Sequence, residues 1–384
     1  MCVKKKIGIL CDFDIAKRPR PFRLVKMLQE NYEVFGIGRE CSLIEGIECF
    51  SFPSPKTSKD RTKEEEEEIK NYCRNKLFDN LIYTSNRKVI RDILNFLSPL
   101  DVIVVEDIAL LPFALDNKYL YPKTKILIDL REYYPLEYEN NPLWLETFGE
   151  FFKYLCIKYL PQIDGAITVS DGIAKRYWYD FGIDAKVFHS LPPFHSLPPS
   201  KIDYPIEIIY HGFVSPDRES QNLLEIAKAF KNKFRLNMMV MSNQKNYLEE
   251  LKQEAQNISS IKFLSPVIMG DIIKFCNPFD IGILTLMPNG FNNTYAMPNK
   301  FFEYIQSRLC VLSTPIPEIK KFISQYGIGK TSARFDISSI IETLDTLDVT
   351  NILDYKLAVC KIAKTFSMQT NTPKILNIVE SMLI

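Results

Sequence analysis

The sequence predicts an α/β protein of two doubly wound domains, and three observations carry that expectation. Short apolar runs alternate with amphipathic segments along almost the whole chain, the rhythm of parallel sheets covered by helices on both faces. The runs are continuous in Val, Ile and Leu, as in strands buried on both sides. The rhythm occurs twice, on either side of a proline-rich duplication, and 384 residues are more than one core comfortably serves.

In the first half, strands are expected over residues 7–13, 34–38, 101–106, 125–130 and 165–170, with helical patterns over 21–30, 142–160 and 171–179. Glu64 to Glu68 form a like-charge block, read as one exposed helix face or a loop. The boundary follows: His189-Ser190-Leu191-Pro192-Pro193-Phe194 is succeeded at once by the near copy His195-Ser196-Leu197-Pro198-Pro199-Ser200. Proline pairs continue neither a helix nor a central strand, so this stretch reads as a stiff extended connector, with His189 and His195 as linker residues. The second half repeats the pattern, with strands over 206–211, 236–241, 261–264, 280–286 and 310–313. The tail from Tyr355 is helical in pattern, with a break expected around 369–373. The division is therefore 1–188, a linker at 189–205, 206–360, and a C-terminal helix at 361–384 that packs back on the first domain.

Hydrophobic residues make up 46% of the chain and charged residues 25%, as in ordinary globular proteins. A formal net charge of +1 supplies no global field for nucleic acid. The nine Cys have no CxxC spacing and only three His accompany them, which argues against a structural zinc site. Cys11 and Cys310 lie in apolar runs and read as small buried hydrophobes in a reducing compartment. The chain leads from Met1-Cys2-Val3 almost directly into its first strand, with an apolar run too short for a signal peptide or membrane span. A cytoplasmic protein is expected, with at most peripheral contact at the inner face of the membrane.

Four places could carry chemistry. Met297-Pro298-Asn299-Lys300-Phe301-Phe302-Glu303-Tyr304 places a polar loop and a helix start after an apolar strand. Free amides and the helix dipole, with Asn299 and Lys300, suit a phosphate, and the Glu303 carboxylate could hold two ribose hydroxyls. The preceding loop, with Asn292, Asn293, Thr294 and Tyr295, could turn amides toward an anion. In the second place, Tyr210-His211-Gly212-Phe213, the glycine permits close backbone approach to a ligand. Arg218 would open the next helix and could clamp a pyrophosphate. His211 could donate to a phosphate or sugar oxygen, or be a satisfied buried histidine. Third, Asp129-Leu130-Arg131-Glu132 puts three charges at the end of a buried strand, and isolated buried charges are costly. Arg131 with Glu132 is also readable as a plain ion pair. Fourth, Asp12-Phe13-Asp14 is followed by the basic loop Lys17-Arg18-Pro19-Arg20. Here Asp14, Arg18 and Arg20, with Glu106 and Asp107 after the 101–106 strand, could meet an anionic acceptor such as a phosphate-bearing lipid or an acidic glycan.

Other chemistries lack their signatures. GxxxxGK[ST] does not occur, GxGxxG does not follow the first strand, and no GxSxG elbow is present. Asp12-Phe13-Asp14 has a metal-ligand spacing but stands among basic residues, and no metal or cofactor is expected.

The first three of these segments resemble those of GT-B glycosyltransferases, in particular the bacterial group assigned to the large retaining family four. Tyr210-His211-Gly212 with Arg218 is similar to the group's phosphate clamp. Asp280-Ile281-Gly282-Ile283 with Pro298-Asn299-Lys300-Phe301-Phe302-Glu303-Tyr304 resembles its DIGI … PNKxxEY region. Asp129-Leu130-Arg131-Glu132-Tyr133-Tyr134-Pro135 resembles its D-x-H-E-x-x-P segment, Ile167-Thr168-Val169-Ser170 its TVS strand, and Phe366-Ser367 the start of its crossing C-terminal helix. The resemblance implies two Rossmann-like domains facing across a cleft and closing about the connector. Glu303 would then bind the ribose, and the loop before it the diphosphate and sugar.

Metal-independent, retaining transfer from a nucleotide-sugar donor to a glycan or lipid-linked hydroxyl acceptor is implied, in surface polysaccharide or glycolipid synthesis. Arg131 and Glu132 would be the catalytic pair. Departures stand beside the matches: Tyr295 replaces the family's first glutamate, Arg131 its histidine and Phe213 its arginine, while Arg308 and Cys310 replace its glycine and proline. Arg131 for His points to a substrate bearing a negative group. A sugar-nucleotide epimerase and a non-catalytic scaffold of the same architecture are the rival readings.

Overall fold

A computed structural model describes residues 4–57, 59–230 and 232–384, so Cys2 lies outside the described residues. The chain divides into two compact units. Unit 1 comprises the chain up to Ser190 with Gly290–Asn292 and Asn371–Ile384; unit 2 comprises Leu191–Asn289 and Asn293–Thr370.

Unit 1 is built on a seven-stranded parallel sheet of β1 (Lys6–Cys11), β2 (Glu33–Arg39), β3 (Glu48–Phe52), β4 (Val102–Val105), β5 (Lys125–Leu130), β6 (Gly165–Thr168) and β7 (Ala185–Val187). Its order is β3-β2-β1-β4-β5-β6-β7. Strand order reverses between β1 and β4, and a doubly wound sheet binds ligands beyond the carboxyl ends of its strands at such a point. Unit 2 has six parallel strands: β8 (Ile206–Phe213), β9 (Phe234–Met241), β10 (Ile261–Leu264), β11 (Ile281–Leu284), β12 (Cys310–Ser313) and β13 (Gly329–Thr331). Their order is β10-β9-β8-β11-β12-β13, which puts the reversal between β8 and β11.

All ten predicted strands are present, and the sheets add β3, β7 and β13, each at an edge. An edge strand is buried on fewer sides, so it needs no apolar run. The partly buried Gly329-Lys330-Thr331 shows none. The acidic block lies on the helix Lys63–Arg74, started by a capping box in which Thr62 and Glu65 satisfy each other's backbone amides.

The proline-rich stretch after Leu191 has neither helix nor strand. It is held by other means: Leu191 joins a hydrophobic core of unit 2, and the Pro192 carbonyl accepts from Met368 N–H at 2.8 Å. The break predicted in the tail at 369–373 lies earlier, between the helices Val349–Ala363 and Met368–Leu383. Gln306 fixes it there, its Nε2 donating to the Ala363 and Phe366 carbonyls at 2.6 and 2.8 Å. These are acceptors that an ending helix leaves without an internal partner.

One glycine sets the architecture of unit 2. A Cβ on Gly282, in the middle of β11, would overlap the Tyr304 ring, which lies directly on the strand. Tyr304 is fully buried and its hydroxyl reaches the Ile209 and Ile283 carbonyls at 3.3 Å each, tying the helix Asn299–Gln306 across β8 and β11. Gly282→Ala is therefore expected to destabilise the protein by about 1–3 kcal/mol, as overpacked cores do. Urea unfolding of the variant measures it, and an unchanged midpoint would refute this role for Gly282.

Candidate functional site

Tyr304 positions the chemistry of unit 2. With the helix Asn299–Gln306 pinned over the β8/β11 reversal, its first turn carries Asn299 and Lys300, and Glu303 follows one turn in. Pro298 precedes the first helical residue in extended conformation, where its missing N–H removes no helix hydrogen bond. Lys300 Nζ lies 3.9 Å from the centroid of the Tyr210 ring, a cation–π contact. A Cβ on Gly212 would stand 3.4 Å from the same nitrogen, and Gly212 has φ +119°, which L side chains rarely adopt. The glycine thus brings the end of β8 close beside the lysine. Side chain and backbone meet where a phosphate oxygen could accept from both.

Glu303 is almost withdrawn from solvent, at 5% exposure, and Oε2 lies 3.6 Å from His211 Nε2. His211 stands edge-on to Tyr304, ring centroids 5.2 Å apart, and its buried Nε2 has no hydrogen-bond partner among the described residues. Burial, and then repulsion from Lys300, push the His211 pKa down to about 3. The nearby carboxylate does not offset this, so the contact is one of a neutral imidazole with a carboxylate and not an ion pair. A histidine in an unfolded chain titrates near 6.5. Below that pH the unfolded chain takes up a proton that the folded protein refuses, so stability falls as pH drops toward about 3. His211 contributes a slope of up to about 1.4 kcal/mol per pH unit in that window. Urea unfolding at a series of acidic pH values should show a shallower loss in His211→Gln; an identical profile would refute the assignment.

The remaining predicted residues of this region lie on the turn after β8 and in the loop around Asn289, whose side-chain amide donates to the Asp217 carbonyl at 3.2 Å. Arg218 does not open a helix: it ends the 3₁₀ turn Pro216–Arg218 on the surface, and the helix Asn222–Lys228 begins later. Asn293 donates to Asn289 Oδ1 at 2.6 Å, and Thr294 closes the short helix Phe291–Thr294 just before Tyr295. Asn292 belongs to unit 1, where it accepts from Tyr133 N–H at 2.7 Å and donates to the Tyr133 carbonyl at 3.1 Å.

Unit 1 gathers charge at its own reversal. Asp107, just beyond β4, pairs with Arg131, just beyond β5, and accepts from Asp12 N–H at 2.9 Å beyond β1. Asp12 pairs in turn with Arg87. Burial acts against the Arg131 charge, but Asp107 and other neighbours carry its pKa well above the ordinary value. Glu106 is wholly buried, with no hydrogen-bond partner on either carboxylate oxygen among the described residues; burial, then the Asp129 charge, raise its pKa well above the ordinary value.

Arg20 does not reach an acceptor. It grips Asp129 with two nitrogens and donates to the Phe188 carbonyl at 2.7 Å, all out of solvent. The expectation for Arg20 is thereby corrected: a charge pair buried inside the fold satisfies both partners without a ligand. Asp14 caps the turn after β1, accepting from Ala16 and Ser42 amides and pairing with Lys17 at 3.0 Å. Glu132 contributes its carbonyl to the Tyr177 hydroxyl at 2.8 Å. Glu137, not marked in the sequence reading, has its pKa pushed up to about 7 by burial and then by Glu132. No sequence signal distinguishes it from a surface glutamate.

No protein-family model and no curated protein sequence matches this chain. Solved structures do match. The α,α-trehalose-phosphate synthase (UDP-forming) of Burkholderia vietnamiensis superposes with a TM-score of 0.66 over 98% of this chain and 100% of that chain, at 12% identity. An E. coli trehalose-6-phosphate structure bound with UDP-2-fluoro glucose gives 0.66 over 98% and 99%, at 11% identity. The S. aureus protein TarM, in complex with fondaparinux, α-GlcNAc-glycerol and UDP, gives 0.59 over 74% of this chain and 58% of that chain, at 12% identity. The chain has the GT-B fold. In GT-B terms the sheet reversal of each unit supplies its candidate site, Lys300, Glu303, His211 and Gly212 in unit 2 and the arginine–carboxylate cluster in unit 1. Identities this low establish the fold alone.

Proposed function

We propose that this protein is a glycosyltransferase that moves a sugar from a nucleotide-sugar donor to a hydroxyl acceptor. The observation that carries the reading is the meeting of Lys300 with Gly212 at the end of β8, one helical turn from the buried carboxylate of Glu303. Cation and close backbone suit the diphosphate, and an anchored carboxylate suits the paired hydroxyls of a ribose. UDP is the first donor nucleotide to test, because structures of this fold are described as UDP-forming or UDP-bound.

In this reading unit 2 takes the nucleotide and unit 1 the acceptor. Lys300 and the amides at the helix start stabilise charge developing on the leaving diphosphate, so the diphosphate itself demands no metal. Retention of the anomeric configuration, a role in surface polysaccharide or glycolipid assembly, and work in the cytoplasm or at the inner face of the membrane belong to the same proposal. Among the described residues no helix is long and apolar enough to cross a membrane.

The test is a thermal-shift screen of nucleotide diphosphates and nucleotide sugars, followed by product analysis. UDP or another nucleoside diphosphate should raise the melting temperature in proportion to the logarithm of its concentration once above Kd. Release of nucleoside diphosphate with glycosylated acceptor supports transfer. An epimerised nucleotide sugar without released nucleotide overturns transfer in favour of an epimerase. Binding of no nucleotide at all favours a non-catalytic scaffold.

A further inference from the structure

Three arginines stand around one phenylalanine ring of unit 1, and one of them, Arg131, is paired with Asp107. Phe13 follows β1 at the sheet reversal. The Arg18 guanidinium carbon lies 3.8 Å from its ring centroid, that of Arg39 4.7 Å and that of Arg131 5.6 Å. Arg39 ends β2 and Arg131 follows β5, so all these residues sit at the carboxyl ends of strands or in the loops just after them.

The local charge does not balance. Asp107 is paired with Arg131, Asp12 with Arg87, and Asp14 with Lys17 and the Ser42 hydroxyl and amide. Burial raises the pKa of Glu106 and of the Cys11 thiol, which disfavours negative charge on either. Among the described residues, the Arg18 and Arg39 side chains have no ion pair and no hydrogen bond; their contact is with the Phe13 ring. Burial, then repulsion from Arg131 and, more weakly, from Arg39, lower the Arg18 pKa. The fold thus holds like charges close together, with Arg18 still open to solvent.

The aromatic ring explains how they are held, and what they remain able to do. A guanidinium stacked on a ring uses its face, and its in-plane N–H donors stay available in the fork that matches phosphate oxygens. Two such forks beside a third arginine supply more positive charge than one carboxylate would neutralise, and suit a dianion with three oxygens. We propose that Arg18, Arg39 and Arg131 around Phe13 form an oxyanion site for a phosphate monoester carried by the acceptor. Its assignment to an acceptor rests on the transferase reading above; the anion site itself does not.

The two are tested separately. Phosphate binding is followed by thermal shift on full-length Lys300→Ala protein, so that any phosphate binding at the Lys300 position of unit 2 is weakened. Inorganic phosphate, methyl phosphate and glycerol phosphate are compared with acetate and chloride at matched ionic strength. Phosphate and its monoesters should raise the melting temperature. Arg18→Gln or Arg39→Gln should weaken the apparent Kd about tenfold, as expected for loss of a charge-assisted contact, with the response gone in the double variant. Arg39→Lys, which keeps the charge, should retain part of the binding, and circular dichroism checks that every variant folds.

An undiminished response in the double variant, or an equal response to acetate or chloride, overturns the site. Monoesters binding more tightly than inorganic phosphate support an esterified acceptor, whereas the reverse order overturns the acceptor assignment. UDP binding is measured on the parent protein: its absence would overturn the transferase reading while leaving the phosphate result intact.

Discussion

Lys300→Ala should weaken nucleoside-diphosphate binding about 10- to 100-fold, the range expected when one charge-assisted partner of a phosphate is removed. The loss should fall on UDP and on inorganic pyrophosphate alike, because Lys300 meets the end of β8, where the proposal puts the diphosphate. Glu303→Gln should separate the two ligands. An amide of the same shape keeps the packing of this buried position but replaces one carboxylate oxygen with a donor. UDP affinity is expected to fall about tenfold, through the ribose hydroxyls, while pyrophosphate affinity stays unchanged. Isothermal calorimetry on both variants with both ligands measures this. Equal losses of UDP and pyrophosphate in Glu303→Gln would show that the carboxylate does not read the ribose.

Lys356→Met should be the most damaging single change away from the sites. Lys356 is fully buried in unit 2, and its ammonium lies 3.1 Å from Asp280, 2.7 Å from the Ser200 hydroxyl and 2.9 Å from the Phe279 carbonyl. Burial lowers its pKa, and the Asp280 charge opposes that fall. Removing the lysine leaves Asp280, itself 2% exposed, as an uncompensated buried carboxylate. Breaking a buried pair from one side costs about 3–5 kcal/mol. Adding Asp280→Asn should recover most of it: the charge is gone, and the amide oxygen can still accept from Glu207 N–H, as Asp280 does at 2.9 Å. Chemical denaturation of the single and double variants gives the comparison. A double variant no more stable than Lys356→Met would show that lost packing, and not stranded charge, is the cause.

Both ends of this pair illustrate what a sequence displays. Asp280 opens the DIGI run, and its neighbours marked β11 correctly because a buried parallel strand must be a continuous apolar run. Lys356 carries no such mark, since its partner is 76 residues away and only packing brings them together. The same holds for Arg20 and Asp129, 109 positions apart. From the sequence, Arg20 is one member of a basic loop beside Arg18; in the fold, one arginine is locked to a carboxylate and the other is open to solvent. Gly282 and Tyr304 show the limit from the other side. Both residues belong to motifs visible in the chain, but that the ring lies on the glycine and thereby aims Lys300 and Glu303 is a fact of packing.

The sequence by itself determined the class of the fold, the two-fold repetition of strand and helix, most of the strands, and the helix that bears Lys300 and Glu303. Those features are written in local patterns, because hydrophobic periodicity and helix starts are properties of consecutive residues. Only the tertiary structure decided which charged groups are neutralised and which are left over. It paired Arg131 with Asp107, Arg87 with Asp12 and Arg20 with Asp129, and it left Arg18 and Arg39 on the face of Phe13. Electrostatic partnership depends on distances of a few ångströms between residues far apart in the chain, and folding alone sets those distances.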